Sequence, residues 1–283
     1  MSVRILTNYE DYIMNKNAIG VFDSGLGGLS AVKQMLNAMP NENIIYFGDT
    51  GRVPYGNRST DTIRRYAMQD ANFLLKNNVK MIVAACGTVS SVAPDLESQL
   101  GVPYTGVVLP TCHTALNESK NGKIGVIGTS ATINSHSYKK RIEKKNPDFQ
   151  VFEQDCPLFV PLVENGFIDR DDQIVRLVVE KYMSGLKNAG VDTVILGCTH
   201  YPILKDAIAD FMGDDVLLID SGKETALYTK KVLKENGLLN NSDTYGTAQF
   251  YVSDTPDNFE KIASLFLSKD MQGKVSRINI EEY

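Results

Sequence analysis

Met81-Ile82-Val83-Ala84-Ala85-Cys86-Gly87-Thr88 and Thr193-Val194-Ile195-Leu196-Gly197-Cys198-Thr199-His200 decide how this chain is read. Each is a short apolar run closed by a small residue, a cysteine and, within two positions, a threonine. Runs of this length, rich in Val and Ile and bounded by turn residues, read as strands buried on both faces. Each cysteine then stands at the carboxyl end of its strand, where open α/β sheets bind ligands.

The two segments belong to a longer repeat. Ile19-Gly20-Val21-Phe22-Asp23-Ser24 is echoed at an offset of 105 residues by Ile124-Gly125-Val126-Ile127-Gly128-Thr129, and Cys86 by Cys198 at an offset of 112. Leu75-Lys76-Asn77-Asn78-Val79 precedes the first cysteine strand, as Leu186-Lys187-Asn188-Ala189-Gly190-Val191 precedes the second. Matched segments in one order at nearly one offset indicate internal duplication, and so long a period means two related domains rather than a solenoid.

The expected fold is therefore α/β. It has two similar domains, each a mostly parallel sheet flanked by helices, related by a pseudo-twofold duplication with the active site in the cleft between them. The boundaries read as an N-terminal extension (1–17), a first domain of 18–110 with 222–283, and a second of 111–221. Helical periodicity covers 60–77, 174–187 and 224–236, apolar strands cover 216–220 and 248–253, and the tail 280–283 is expected to fold back on the first domain.

Composition narrows the class. Of 283 residues, 43% are hydrophobic and 22% charged, ordinary values for a soluble globular protein. A net charge of −5 with no basic stripe argues against nucleic acid, and Lys139-Lys140-Arg141 with Lys144-Lys145 reads as the wet face of a helix. No apolar run approaches the roughly 20 residues that span a bilayer. The N-terminus has no signal region, so a cytoplasmic location is expected. Cys86, Cys112, Cys156 and Cys198 are widely separated, with no C-x-x-C pair, so neither a metal site nor a disulfide framework is expected. Cys112 and Cys156 read as buried core.

Cys86 and Cys198 differ, because they occupy equivalent places in a duplicated unit. Facing domains would oppose their thiols across one cleft, a common place for a small ligand. Opposed thiols suit inversion of a stereocentre, in which one group removes a proton from one face of a carbon and the other delivers a proton to the opposite face. Positioned acid/base groups typically supply about 10²- to 10⁴-fold in rate; orientation and electrostatic stabilisation supply the rest. Asp23, at the end of its strand, is placed to assist Cys86. His200 follows Cys198 by two positions, and Glu164 is a candidate partner for either thiol or for His200. Ser24, Thr88, Thr199 and the amides of Tyr55 and Gly56 are candidates for holding a carboxylate and an amino group.

Gly20-Val21-Phe22-Asp23-Ser24-Gly25-Leu26-Gly27-Gly28, Tyr46-Phe47-Gly48-Asp49-Thr50 with Val53-Pro54-Tyr55-Gly56, and Leu196-Gly197-Cys198-Thr199-His200-Tyr201-Pro202 together closely resemble the glutamate racemase family. The resemblance implies interconversion of L- and D-glutamate with no cofactor and no metal, D-glutamate for peptidoglycan synthesis, and a homodimer. It implies Cys86 and Cys198 as catalytic bases assisted by Asp23, Glu164 and His200. Asp23, Ser24, Pro54, Tyr55, Gly56, Gly87, Thr88, Thr199 and His200 are its implied substrate contacts. One departure stands out: the family usually carries Asn after the first cysteine, where this chain has Gly87.

Three other readings compete. Aspartate racemase is the nearest rival. Duplicated halves around a cleft would also suit a non-catalytic binder of acidic metabolites, which has no need of matched thiols. The turn Gly25-Leu26-Gly27-Gly28 is a near miss for a dinucleotide fingerprint, with Ser30 where the third small residue would sit; its glycines equally permit a tight turn.

Overall fold

The computed structural model describes residues 15–254, 263, 265–267 and 275–283. The expected N-terminal extension lies outside the described residues up to position 14. Among the described residues ten strands form two sheets. They are β1 (Ile19–Asp23), β2 (Ile44–Gly48), β3 (Met81–Ala84), β4 (Tyr104–Gly106), β5 (Lys123–Gly128), β6 (Gln150–Asp155), β7 (Thr193–Leu196), β8 (Leu217–Asp220), β9 (Ala248–Val252) and β10 (Val275–Arg277).

Every strand pair is parallel. Parallel neighbours need crossover connections, and the helices that supply them cover both sheet faces. All residues of β1, β2, β3 and β7 are buried accordingly, which is why these segments are continuously apolar rather than alternating.

The first sheet runs β10-β9-β2-β1-β3-β4 and the second β6-β5-β7-β8. Without the two added strands at one edge, the first has the order 2-1-3-4, and the second repeats it with four added to each number. The duplication read from residue spacing is thus a duplication of topology. It extends to the last ladder bond before each cysteine: Ala85 N–H donates to the Phe22 carbonyl (2.9 Å) and Gly197 N–H to the Ile127 carbonyl (2.8 Å). In this order the chain direction across the sheet reverses between β1 and β3, and between β5 and β7, the position at which open α/β sheets bind ligands. Asp23 and Cys86 leave the first switch point, Thr129 and Cys198 the second.

The helix Thr60–Lys76 opens with Ser59 accepting from the Thr62 amide, and Gln173–Ala189 opens with Asp172 accepting from Ile174 and ends at Gly190 in the left-handed conformation (φ 71°). After the second sheet the chain returns. The helix Ser221–Glu235 lies against the helix Leu29–Ala38, and β9 pairs with β2. At the C-terminus Ile280 is buried with Phe22, Phe47 and Phe73, and the Tyr283 ring meets Phe73 edge-on at 5.3 Å.

Candidate active site

Cys86 and Cys198 line one cavity of about 230 Å³, together with Ser24, Tyr55, Glu164 and His200. That is below the roughly 300–1,000 Å³ of pockets for drug-sized ligands and far above the 30 Å³ of one water, so it suits a small metabolite. The cavity draws on both sheets. A larger cleft, about 770 Å³, lies between the helices Val108–Glu118 and Ser137–Lys145, with Cys112 and several lysines in its wall. It has neither a second thiol nor a carboxylate among its lining residues, so paired acid/base chemistry belongs to the smaller cavity.

The two thiols have different surroundings. The Cys86 thiol donates to Ser24 Oγ (3.5 Å). Burial, followed by the nearby Asp23 charge, pushes it up to about 12, against the opposing effect of the hydrogen bond with Ser24. Cys86 is therefore held as a thiol at neutral pH. Asp23 is buried beside it. Its Oδ2 accepts from the Gly25 amide (3.1 Å) and its Oδ1 has no hydrogen-bond partner among the described residues. Burial raises the Asp23 carboxyl above the usual range, while the charge of His200 and backbone amides of the turn oppose the rise.

Cys198 Sγ lies 4.0 Å from His200 Nδ1, and His200 Nε2 lies 3.1 Å from Glu164 Oε1. Burial works against charging this imidazole. Hydrogen bonds to Cys198 and Glu164 outweigh it and push His200 up to about 10. The second thiol thus sits beside a ring that keeps its proton at neutral pH, and the first beside a buried carboxyl. Glu164, open to either thiol or to His200 on sequence grounds, is His200's partner here.

Hydroxyls close the cavity from both sides. Thr88 Oγ1 and Thr129 Oγ1 are 3.0 Å apart, joining the two halves. Thr129 escaped the sequence reading, although the 105-residue offset maps Ser24 onto it. Cys156, read as core, is fully buried yet also walls the cavity, where its carbonyl accepts from Tyr201 Oη (3.0 Å). The loop carrying Pro54, Tyr55 and Gly56 is anchored from behind. Tyr55 Oη donates to Asp49 and lies 3.1 Å from Asp70 Oδ2, Arg52 pairs with the same two side chains, and Ser253 Oγ donates to Asp49 (2.7 Å). Burial first, then the Asp49 charge, lifts Asp70 well above the usual carboxylate range.

The glycine-rich turn has its own explanation. A Cβ on Gly27 would overlap Thr199 Oγ1 and come within 2.6 Å of the His200 ring; one on Gly28 would lie 2.6 Å from Asp23 Cβ. Gly27 lets the second half close onto the first, and Gly28 lets the turn pack against Asp23 and Ala85 within the first half. Position 87 is equally closed, since a Cβ there would overlap the Gly197 carbonyl oxygen. With this backbone, Gly87 does not mark a side-chain socket left empty beside the substrate.

The family model described as Asp/Glu/Hydantoin racemase matches residues 19–229. Glutamate racemase of Geobacter metallireducens is 43% identical over 265 residues, covering 93% of this chain and 97% of that protein. Among solved structures, glutamate racemase of Francisella tularensis in complex with D-glutamate is 40% identical with a TM-score of 0.87, covering 95% of this chain and 100% of that one. A Bacillus anthracis glutamate racemase isoform is 34% identical with a TM-score of 0.89, covering 93% and 98%.

Proposed function

Because the chain belongs to the Asp/Glu/hydantoin racemase family, we propose that it interconverts L- and D-glutamate by passing a proton across the α-carbon between Cys86 and Cys198. The observation that carries this reading is the pair of thiols on one small cavity, each following the equivalent strand of a duplicated fold. The glutamate racemases at 40% identity and above, one of them solved with D-glutamate, support the substrate.

In this mechanism one cysteine, as thiolate, takes the α-proton. The electron pair left on carbon spreads into the α-carboxyl group, and the opposite thiol donates its proton to the other face. Product release leaves the protonation of the two cysteines exchanged. The surroundings of the site favour a thiol at Cys86 and a protonated ring at His200. Ser24, Thr88, Thr199 and the Pro54-Tyr55-Gly56 loop bind the carboxylates and amino group, with Thr129 added to the set. Asp23 and the Glu164–His200 pair assist the Cys86 and Cys198 sides respectively. In this reading residues 18–110 with 222–283 form one lobe and 111–221 the other. No cofactor takes part, the protein works as a homodimer in the cytoplasm, and the D-glutamate feeds peptidoglycan synthesis.

The test is the circular dichroism of L-glutamate incubated with pure protein and no added pyridoxal phosphate. Decay of the signal to zero supports the proposal, and retention of the L signal at high protein concentration rejects it. Aspartate offered in parallel separates the two acidic substrates.

A further inference from the structure

Asp70 sits on the buried face of the helix Thr60–Lys76, among Ile63, Ala67, Phe73 and Leu74. An aspartate there needs partners, since buried carboxylates are rare unless paired. Its partners lie behind the loop that carries Tyr55. Arg52 Nη2 is 3.1 Å from Asp70 Oδ1, and Arg52 Nε is 2.6 Å from Asp49 Oδ2. Asp49 and Asp70 are both fully buried, so one guanidinium serves two buried carboxyl groups. If both were ionised, one negative charge would stand uncompensated out of water, a state that buried sites relieve by binding a proton. The Tyr55 hydroxyl shows where that proton goes. It has a single hydrogen, which is directed to Asp49, its closer partner. Asp70 Oδ2, 3.1 Å from the same hydroxyl oxygen, then faces a lone pair. Two acceptors repel at this distance, whereas a hydrogen on Asp70 makes the contact a bond. Asp49 already accepts from Arg52 Nε, Tyr55 Oη and Ser253 Oγ. Among the described residues Asp70 has only Arg52 Nη2 and Tyr55 Oη as partners. The less solvated carboxyl keeps the proton, and burial, followed by the Asp49 charge, works in the same direction against the pull of Arg52.

We propose that Asp70 is a positioning residue that works as a neutral acid: its carboxyl O–H donates to Tyr55 Oη, Tyr55 Oη donates to Asp49, and this directed chain holds the Pro54-Tyr55-Gly56 segment at the cavity wall. The proposal rests on the reading of that segment as a substrate contact. The titratable and charged groups that face Asp70 are Asp49, Arg52 and Tyr55 from the segment after β2, Tyr46 of β2 and Asp23 of β1; Glu281 of the C-terminal turn reaches it through Arg52 (3.4 Å). An acid that keeps its proton in the folded protein and loses it in the unfolded chain stabilises the fold fully only below its ordinary value, about 3.9. That contribution is lost as pH rises, by about tenfold in the folding equilibrium per pH unit, until the group ionises in the folded protein too.

The experiment compares the whole protein with Asp70→Asn and Asp70→Leu. The asparagine amide still donates to Tyr55 Oη and its oxygen still accepts from Arg52, but it has no proton to lose; leucine fills the space and makes neither bond. Urea titrations of the parent and Asp70→Asn, from about pH 5 to about pH 7 and so above the ordinary aspartate value, read the proton. The folding equilibrium constant of Asp70→Asn relative to the parent is expected to rise by about tenfold per pH unit. A ratio that stays flat or falls means that Asp70 is ionised in the fold and overturns the proposal. Glutamate kinetics at neutral pH read the positioning. Asp70→Leu is expected to raise KM roughly tenfold while kcat falls less, and Asp70→Asn to bring KM back towards the parent. A leucine variant with the parental KM, or an asparagine variant with a KM as high as leucine's, overturns the positioning role. Should Asp70→Leu not fold, the pH course of Asp70→Asn and its KM still decide, a tenfold raised KM in Asp70→Asn counting against the proposal. A parent protein that does not act on glutamate would reject the functional reading instead, and the urea ratio would still report the proton on Asp70.

Discussion

Glu164→Gln alters one contact of His200 and leaves both thiols in place. In the parent protein the imidazole, ordinarily near 6.5, is pushed up to about 10 because hydrogen bonds to Cys198 and Glu164 overcome the cost of burial. At about 1.4 kcal/mol per pH unit, that rise is worth roughly 5 kcal/mol of preference for the protonated ring. The Glu164 side chain is 43% exposed, whereas that of His200 is 8% exposed. Solvent therefore screens the carboxylate, and its share is nearer 1 kcal/mol. The alkaline limb of kcat/KM reports ionisations of the free protein. It is expected near pH 10 in the parent and slightly under about one pH unit lower in the variant. L- and D-glutamate are enantiomers, so their equilibrium constant is one and kcat/KM must agree in both directions at every pH. The displacement therefore has to be the same from either substrate, which gives an internal control. Initial rates by circular dichroism, from neutral pH into the alkaline range, measure it. An unmoved limb, or one displaced upward, refutes the assignment of Glu164 as the carboxylate that holds the proton on His200.

Four further outcomes are expected. The same raised value makes the His200 contribution to folding complete below about pH 6.5 and lost as pH rises towards about 10, so the urea midpoint should fall over that window, and less so in His200→Asn. Cys86→Ser and Cys198→Ser should each abolish racemisation with an unchanged melt, while each still eliminates chloride from 3-chloroglutamate of one hand, the two variants choosing opposite hands. Tyr55→Phe removes the hydroxyl shared by buried Asp49 and Asp70; unfolding free energy should drop by roughly 1–3 kcal/mol in urea titrations and KM should rise more than kcat falls. Thr129→Val removes one half of the Thr88–Thr129 bridge, and a raised KM for glutamate at constant melting temperature is the expected signature.

The strands that position the site were legible because each is buried on both faces and so is continuously apolar, and the duplication was legible because equivalent strands kept their spacing. β6 was not singled out. Gln150-Val151-Phe152-Glu153-Gln154-Asp155 lies at the edge of its sheet with mostly half-exposed side chains, and it lacks a solid apolar run. β10 is three residues long and only partly buried. At the cavity, residues beside the cysteines were visible from their motif. Thr129 was visible only through the repeat offset, and Cys156 looked like any buried cysteine. The glycines were the least legible. Gly27 and Gly87 look like turn chemistry in one dimension, yet their reason is a backbone or side chain from the other half, more than 100 residues away in sequence.

The central claim is that two different sulfurs serve the two faces of one carbon, and hydrogen isotope tracing addresses it most directly. L-glutamate carrying protium at the α-carbon is incubated in heavy water, and both enantiomers are recovered early and weighed by mass spectrometry. The account predicts one deuterium in nearly every D-glutamate molecule and protium retained in the L-glutamate that has not yet turned over. Protium carried into the D-glutamate, or deuterium entering the L pool as fast as D-glutamate appears, would mean that a single base works both faces and would contradict it.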